Sequence, residues 1–253
     1  MQNILIQILL LFISTVIFAQ GEINTESKAF IRNERTFSIS LNSNGYGINY
    51  RIAKRLDGFR KKIYDVDLAE IKHPKETKTS NPYFENQKRF IYGKENNFYN
   101  LHLGIGLQKE LFSKFDNGGI SIKYFYSGGL SCGIQKPIYY EILYPTSNPY
   151  EYIIVVEQLN TEKQEIDDIY GRAPYFKGFD KLSLKPGLYF KFGVSFEYSK
   201  NEKRISAIET GINIDAFYKK IIIMQTKENN QLFLSLYISF RFGRIINGRI
   251  KEK

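Results

Sequence analysis

The chain has 253 residues, 43% hydrophobic and 25% charged, which is typical of a folded protein with one or two domains. The formal net charge is +10, and aromatic residues make up 15% although Trp is absent. Because Cys132 is the only cysteine and there are two histidines, an internal disulfide is excluded and a dedicated zinc site is not expected. No cofactor is predicted.

The N-terminus carries the features of an export signal. The segment "ILIQILLLFISTVIFAQ" is apolar and uncharged, and Ala19 supplies the small residue that signal peptidase requires, although no Lys or Arg precedes the run. We therefore predict a cleaved signal peptide over residues 1–20 and a polar lead over residues 21–35. No later stretch approaches the 18 apolar residues of a membrane-spanning helix, so none is predicted. An exported protein is also not expected to bind nucleic acid.

Apolar and polar residues alternate along eight later segments, the pattern of a β-strand with one apolar face. In "LKPGLYFKFGVSFEYS" the alternation holds for all 16 residues from 184 to 199. Between the first two strands, Asn44-Gly45 is the strongest short signal for a two-residue hairpin turn. In chain order, the predicted strands span residues 36–43, 46–54, 62–72, 98–112, 119–135, 182–199, 204–219 and 231–244.

Apart from the Asn44-Gly45 turn, short connections alternate with long ones between these strands. The long loops cover residues 73–97 and 136–181, and the connection near 220–230 is intermediate. An even number of strands, with short turns on one side and long loops on the other, is typical of outer-membrane barrels whose termini are periplasmic. The predicted fold class is therefore all-β: an antiparallel up-and-down transmembrane β-barrel of about eight strands over residues 36–244, followed by a basic tail over residues 245–253.

The longest loop contains two apolar runs of its own, "YYEILYP" and "YEYIIVVEQL", within residues 138–158. We expect these runs to form a small hairpin above the rim of the barrel. If both of them enter the wall instead, the barrel has ten strands.

The alternation by itself also fits a soluble, lipocalin-like barrel, which has the same pattern turned inside out. Charge is absent from the apolar parity along most of each strand, which favours the membrane. The polar parity mixes glycines with long charged side chains, as the narrow lumen of an eight-stranded barrel requires. Aromatic residues also lie near strand ends, where an interfacial girdle forms. They are Tyr46, Tyr99, Tyr198, Tyr218 and Phe242.

The polar parity carries a nearly balanced set of charges, which we predict to fill the lumen as a salt-bridged plug, since buried charges persist only when they are paired. The predicted members are Arg51, Asp65, Asp67, Glu110, Lys123, Lys185, Lys191, Glu197, Glu209, Asp215 and Arg241. His102 lies on the same parity and is expected to be a hydrogen-bonded member of the plug. A proton or ion path would need a water-filled width that eight strands do not provide.

Two loop stretches combine Pro, Gly, aromatic residues and Arg, the composition of ordered loops that make contacts. Their aromatic and arginine anchors suit a surface that binds another envelope protein, and they could equally pack on one another as a lid. These candidate partner-binding residues are Tyr83, Phe84, Tyr170, Arg172, Tyr175 and Phe176. On the opposite side, basic residues of the short turns could meet lipid phosphates, an acidic periplasmic protein, or only water.

An enzymatic alternative rests on a histidine at the outer rim. Some eight-stranded outer-membrane barrels modify lipid A, and such chemistry needs a His with a Ser or carboxylate nearby. His73, at the end of the third strand in "EIKHPKE", and Ser80 are the candidates for that role. No second motif converges on His73 in the sequence.

Three loop-containing stretches carry a resemblance to a known group of proteins: "LNSNGYGINYR", "IKHPKETKTSNPYFE" and "DDIYGRAPYFKGF". In these stretches the chain resembles uncharacterised small outer-membrane β-barrel proteins of diderm bacteria, which implies the same fold and location. The resemblance supplies no activity and no catalytic residues to carry over. We therefore expect an integral outer-membrane barrel, surrounded by outer-membrane lipid, that acts as a non-catalytic scaffold or accessory subunit of an envelope protein complex. No small-molecule substrate is predicted.

Overall fold

The computed structural model describes residues 32–84, 88–114, 119–147, 151–200, 203–226 and 228–247. Within these ranges the chain forms thirteen strands and two single 3₁₀ turns, Ile166–Asp168 and Phe179–Lys181. None of the helical segments there is long and apolar enough to cross a bilayer. The strands are β1 (Arg32–Asn42), β2 (Gly45–Arg55), β3 (Arg60–Ile71), β4 (Lys78–Thr79), β5 (Phe90–Ile91), β6 (Asn96–Phe112), β7 (Ser121–Pro137), β8 (Tyr140–Pro145), β9 (Tyr152–Glu157), β10 (Ile169–Arg172), β11 (Ser183–Glu197), β12 (Arg204–Phe217) and β13 (Leu232–Asn247).

The eight long strands form one closed antiparallel barrel in the order β1-β13-β12-β11-β7-β6-β3-β2. This confirms the predicted fold class with eight strands rather than ten. The apolar runs of the longest loop do not enter the wall, because β8 and β9 pair with β10 in a separate three-stranded sheet. The strands β4 and β5 form a further small ribbon.

The seam that closes the barrel is longer than the sequence pattern indicated. Here β1 pairs with β13 from Arg32 opposite Asn247 to Asn42 opposite Tyr237. The first strand thus begins inside the predicted polar lead, and the last extends past Phe242 into the predicted tail. The two extensions pair with each other through main-chain hydrogen bonds. The polarity of their side chains does not reveal this pairing. The predicted signal peptide and residues 248–253 lie outside the described residues.

The prediction of an Asn44-Gly45 turn was wrong by one residue. The strands β1 and β2 are connected by Ser43 and Asn44, while Gly45 already pairs with Asn42 and with Ile71 on the next strand. A Cβ on Gly45 would lie 1.9 Å from the carbonyl oxygen of Glu70. The glycine is therefore needed for the close approach of two strands rather than for the turn.

Strand alternation separates two surfaces with opposite chemistry. Outward-facing Leu130, Leu188 and Leu234 are more than 60% exposed, whereas inward-facing residues such as Arg51 and Glu209 are almost completely buried. The termini share one end of the barrel with the connections from β2 to β3 and from β11 to β12, and the sheet β10-β8-β9 lies at the other end. We call these the short-turn end and the loop end. The two-residue turn at Ser43 and Asn44 lies at the end of that sheet, so it departs from the division into short turns at one end and long loops at the other.

Candidate functional site

The centre of the lumen is filled by an ion-paired layer. The Arg51 guanidinium lies between the carboxylates of Asp65 and Glu209, donating to them at 2.7 and 3.0 Å, and 4.1 Å above the ring centroid of Phe125. The Nε of Arg241 lies 2.8 Å from the same Glu209 oxygen. Arg241 also donates to the side-chain oxygen of Asn49 at 2.7 Å. These groups come from β2, β3, β12 and β13, so the layer ties opposite parts of the wall together.

Further ion pairs lie on both sides of this layer. Towards the loop end, Lys191 donates to Asp67 at 3.0 Å. Towards the short-turn end, Glu197 accepts hydrogen bonds from Lys123 at 2.5 Å and from Lys114 at 3.2 Å. In addition, Lys61 pairs with Glu34. The lumen is therefore closed by several successive layers of charge rather than by one pair.

The structure brings most of the predicted plug together but not all of it. Glu110 and Lys185 are only half-buried and lie near opposite ends of the barrel. Sequence reasoning missed Glu34, Lys61 and Lys114, because it placed Glu34 in the lead and the two lysines in turn regions. The buried members of the predicted set are Arg51, Asp65, Asp67, Lys123, Lys191, Glu197, Glu209, Asp215 and Arg241.

A second polar cluster lies nearer the loop end around His102. Its Nε2 is 2.6 Å from Oδ1 of Asp215, which also accepts a hydrogen bond from Asn100 at 2.9 Å. Ser131 donates to Asn100 at 2.6 Å. The imidazole stacks on the ring of Tyr189, with centroids 4.2 Å apart. His102 is thus a hydrogen-bonded member of the lumen filling, as predicted.

An apolar lid closes the loop end of the lumen. Ile221, Ile223 and Met224, from the connection between β12 and β13, pack with Phe98 and Phe217 of the wall. The lid is anchored by the amides of Glu95 and Asn96, which both donate to the carbonyl of Ile223. The run "IIIM" carried a hydrophobic signal for this role, but the path of its loop could not be deduced from the sequence.

The external sheet forms an ordered cap with a core of its own. Phe90, Tyr140, Ile142 and Ile169 are buried in that core. The hydroxyl of Tyr140 donates towards the carbonyls of Ile91 and Lys94, at 2.8 and 2.7 Å. Burial raises the pKa of this phenol above its ordinary value, so it remains a donor.

Buried ion pairing and hydrogen bonding also connect the loops that support the cap. Lys94 donates to Glu76 at 2.6 Å with both side chains buried, and Lys94 forms a β-bridge with Met224 of the lid. Asn81 donates to the carbonyls of Asp167 and Ile169 at 2.8 Å each. The cap, its supporting loops and the lid therefore form one connected body at the loop end.

One strand of the cap, β9, is open to the surroundings on both faces and along one edge. It follows β8 in the order β10-β8-β9, so its outer edge has no described neighbour. Its five apolar residues from Tyr152 to Val156 are 38 to 57% exposed. A free apolar edge is a template for pairing with another strand, and native proteins usually shield it.

The predicted partner-binding residues separate into three places. Tyr83 projects with 74% of its surface exposed. Phe84 packs edge-on against Tyr170 at 5.3 Å, so these two contribute to the cap itself. Tyr175 and Phe176 pack on each other at 5.8 Å, beside Arg172, whose guanidinium lies 5.7 Å from the Tyr175 ring. Tyr83 is thus exposed, whereas the other five residues pack on one another in two groups.

His73 and Ser80 are not brought together. The His73 Nδ1 accepts a hydrogen bond from the amide of Lys75 at 3.2 Å, and Nε2 lies 3.4 Å from the carbonyl of Glu228. Among the described residues, none of the hydrogen bonds of the His73 ring involves Ser80, which is exposed. Both ring nitrogens thus serve the local backbone.

The acidic stretch over residues 162–168 of the longest loop includes a short capped turn. Over the described ranges, no group of three or more His, Cys, Asp or Glu side chains is arranged to hold a metal ion. Asp168 instead closes a capping box around the 3₁₀ turn, accepting the amide hydrogen of Glu165 at 2.9 Å.

Comparison with known proteins gives distant structural likeness alone. No family model matches the sequence, and no curated protein matches it. Neisserial surface protein A (NspA) is similar with a TM-score of 0.38 and 9% identity over 85% of this chain and 96% of NspA. The N-terminal β-barrel domain of Pseudomonas aeruginosa OprF is similar with a TM-score of 0.33 and 8% identity, over 84% of this chain and 99% of that domain.

Proposed function

We propose that this chain is an integral outer-membrane barrel with a closed lumen, and that its external cap is a docking platform for another envelope protein. In this role the chain is a scaffold or accessory subunit of a complex. The observation that carries the proposal is β9, an apolar edge strand that the described residues leave uncovered on the cap.

The outer surface of the barrel supports the membrane location. Soluble monomers rarely expose contiguous apolar patches larger than a few hundred Å². Here the exposed apolar residues recur at alternate positions of neighbouring wall strands, while the charged residues in the middle of these strands face inward. The wall strands have 11 to 17 residues, which meets the 9–11 residues that a tilted strand needs to cross hydrocarbon. The exposed set includes Ile39, Leu41, Ile48, Val66, Leu68, Leu103, Ile105, Leu130, Leu188, Phe190, Phe192, Ile212, Ile214, Leu234, Leu236, Ile238 and Phe240.

The aromatic residues support the same placement. Tyr46, Tyr99 and Tyr218 lie at or just beyond the loop ends of their strands, whereas Tyr198 lies just beyond the short-turn end of β11. Such belts occupy the two membrane–water interfaces. In this orientation the short turns and both strand termini of the seam are periplasmic, and the cap is extracellular.

Because the lumen is filled, we assign the function to the loops. Arg51, Glu209 and Arg241 occupy the cross-section of the barrel, and the apolar lid covers its loop end. An eight-stranded barrel filled in this way has no continuous aqueous path. The part of the protein that is accessible at the cell surface is the cap. There β9 offers main-chain hydrogen bonds and apolar side chains to an incoming strand.

Photo-crosslinking from the cap tests this role. A photoreactive residue at position 155 should give one dominant crosslinked protein in intact cells, and that protein should co-purify from gently solubilised membranes. The variant Ile154→Lys should reduce its recovery at least tenfold, because a lysine on an edge strand blocks pairing. The matched control is Leu56→Lys, which places the same charge at an exposed apolar position of the short-turn end.

Two results would refute the docking role. One is a lone monomer under all solubilisation conditions, and the other is equal recovery of the partner with both lysine variants. Heat-modifiable gel mobility of each variant, measured on the outer-membrane fraction, shows independently that the barrel is folded and inserted.

A further inference from the structure

A patch of basic and aromatic side chains lies on the outward side of the wall at the loop end. It is built by residues 173–182, which fold over the end of β7. Gly178, with φ of +93°, approaches so closely that a Cβ would lie 2.6 Å from the carbonyl oxygen of Pro137. The hydroxyl of Tyr175 is 2.6 Å from that of Tyr99 on β6. These contacts hold the segment against the barrel wall. We call residues 172–182 together with Lys136 the rim patch.

Lys136 is the buried cation of the rim patch. It takes the outward parity of β7, opposite to the lumen-facing Gln135, yet only 2% of it is exposed because residues 173–182 cover it. Its Nζ donates to the carbonyl of Lys177 at 3.2 Å and lies 4.6 and 5.1 Å from the ring centroids of Tyr175 and Phe179. Carbonyl and ring contacts solvate the ammonium group but do not neutralise it.

Three more cations surround it. Arg172 lies over the Tyr175 ring, and Lys177 and Lys181 lie 5.7 and 5.8 Å from the ring centroid of Tyr139. Among the described residues, neither these three nor Lys136 has a carboxylate oxygen within 4 Å. Asp180 acts on Lys181 only at longer range.

Cations inside the lumen, by contrast, do have counter-charges. There Arg51, Lys123, Lys191 and Arg241 each contact a carboxylate directly. The chain therefore neutralises these cations of the lumen but leaves four together at the rim. A site with this electrostatic excess next to apolar surface favours a bound anion.

An unsatisfied donor lies beside the buried lysine. Asn97 is directly opposite Lys136 in the β6–β7 ladder and is 4% exposed. Its Nδ2 makes no hydrogen bond to any described residue. Residues directly opposite on a ladder have Cβ atoms about 4.5–5.5 Å apart, so the two side chains leave the wall side by side.

The aromatic members indicate where the anion comes from. Phe176 is 82% exposed and Phe179 46% exposed, on the side of the wall that faces the bilayer. Aromatic rings beside basic groups at this level place apolar surface at the acyl boundary and charge at the headgroups. A freely diffusing anion would gain nothing from these rings.

We propose that the rim patch binds the phosphate-bearing headgroup of an outer-leaflet lipid. Arg172, Lys177 and Lys181 contact the phosphate, Lys136 supplies a fixed positive charge beneath it, and Phe176 inserts beside the acyl chains. The assignment rests on the membrane placement in the proposed function, and it adds a lipid ligand at a defined position on the wall.

Binding of a phosphorylated lipid to the refolded full-length mature protein in a neutral detergent tests the assignment. The probes are lipid A with its phosphates, dephosphorylated lipid A, and inorganic phosphate. We expect the phosphorylated lipid to bind at least tenfold more tightly than the dephosphorylated one, which corresponds to about 1.4 kcal/mol. The triple variant Arg172→Gln, Lys177→Gln, Lys181→Gln should lose that preference.

The double variant Lys219→Gln, Lys220→Gln is the matched control, because both lysines are exposed at the loop end outside the rim patch. It should keep the full preference. Equal affinity for the two lipids, an unchanged triple variant, or binding of inorganic phosphate without a lipid preference would each overturn the proposal. Heat-modifiable mobility of every variant separates this result from a failure of the barrel to insert, which would instead refute the proposed function.

Discussion

Arg51 and Glu209 approach each other across the lumen from β2 and β12, with 3.0 Å between Nη1 and Oε1 and both side chains almost completely buried. Between these strands in the wall lie β1 and β13, which contain the seam. The pair therefore bridges, inside the lumen, the seam at which the barrel closes. Its strength depends on burial, because the attraction between charges rises as the effective dielectric falls.

Removing the Glu209 charge should destabilise the barrel strongly. In Glu209→Gln the guanidinium groups of Arg51 and Arg241 lose their shared carboxylate, and breaking a buried pair in this way typically costs 3–5 kcal/mol. Urea unfolding of protein refolded into lipid vesicles measures the loss. Ile214→Val, on the outward face of the same strand, is the control and should cost less than about 1.5 kcal/mol. A loss of less than 1 kcal/mol in the glutamine variant would contradict this account.

Gly104→Ala should also destabilise the protein, through crowding in the lumen. A Cβ there would lie 1.9 Å from the hydroxyl of Tyr189, whose ring is fixed by stacking on His102. Overpacking of this kind usually costs 1–3 kcal/mol. Gly128→Ala is the matched control, because its nearest contact would be an ordinary 3.4 Å. Equal urea midpoints for the two variants would show that the Tyr189 ring moves freely.

The ion pair between Lys75 and Glu228 should give a measurable pH dependence at the loop end. The hydrogen bond from Lys75, 2.8 Å long, and its charge hold the pKa of Glu228 below its ordinary value of 4.5. Because the pKa of Glu228 is lower in the folded state, the ion pair adds to the stability of the folded protein at pH values above the unfolded-state pKa. This stabilisation is lost as the pH falls through the folded-state pKa.

Carbon NMR titration of the Glu228 carboxyl group tests this link. The midpoint should lie below 4.5 in the native protein and return towards that value in Lys75→Gln. Lys220→Gln removes the same charge elsewhere in the loop end and should leave the midpoint unchanged. An identical midpoint in the native protein and the Lys75 variant would remove the pair as the cause.

Replacing His73 should not alter membrane lipids. Its ring nitrogens contact the backbone of Lys75 and Glu228, and Ser80 is not among its described partners. We expect His73→Ala to leave the lipid A mass spectrum of the cells identical to that of the native strain. A shifted acyl or phosphate pattern in the variant alone would instead support a lipid-modifying enzyme.

Most of the wall could be predicted from the sequence, because alternation in a two-faced strand is a direct consequence of the pleat. The run from Leu184 to Ser199 illustrates this: its buried residues are those assigned to the polar parity, including Lys191 and Glu197. The turn at Ser43 and Asn44 was misplaced because glycine signals both turns and close strand contacts. Only the distance between Gly45 and Glu70 distinguishes them.

The candidate site was less accessible to sequence reasoning because it depends on loop paths. The burial of Lys136 follows from the fold of residues 173–182 over the wall, and nothing in the strand pattern of β7 requires it. The pairing of Lys94 with Glu76 likewise joins two ends of a loop that carried no periodic signal. The exposed edge of β9 was hidden for the same reason, since its apolar composition also fits a buried strand.

The seam between Arg32 and Asn247 has a consequence for folding. Neighbouring strands joined by short turns can pair early, whereas the first and last strands must meet across more than 200 residues of chain. Contacts of such long sequence separation form slowly, so we expect closure to be the last step of assembly. Until then Arg51 and Glu209 face an open, hydrated sheet. We therefore expect water to leave the lumen as the wall closes, and the desolvation of the buried charges to oppose that step.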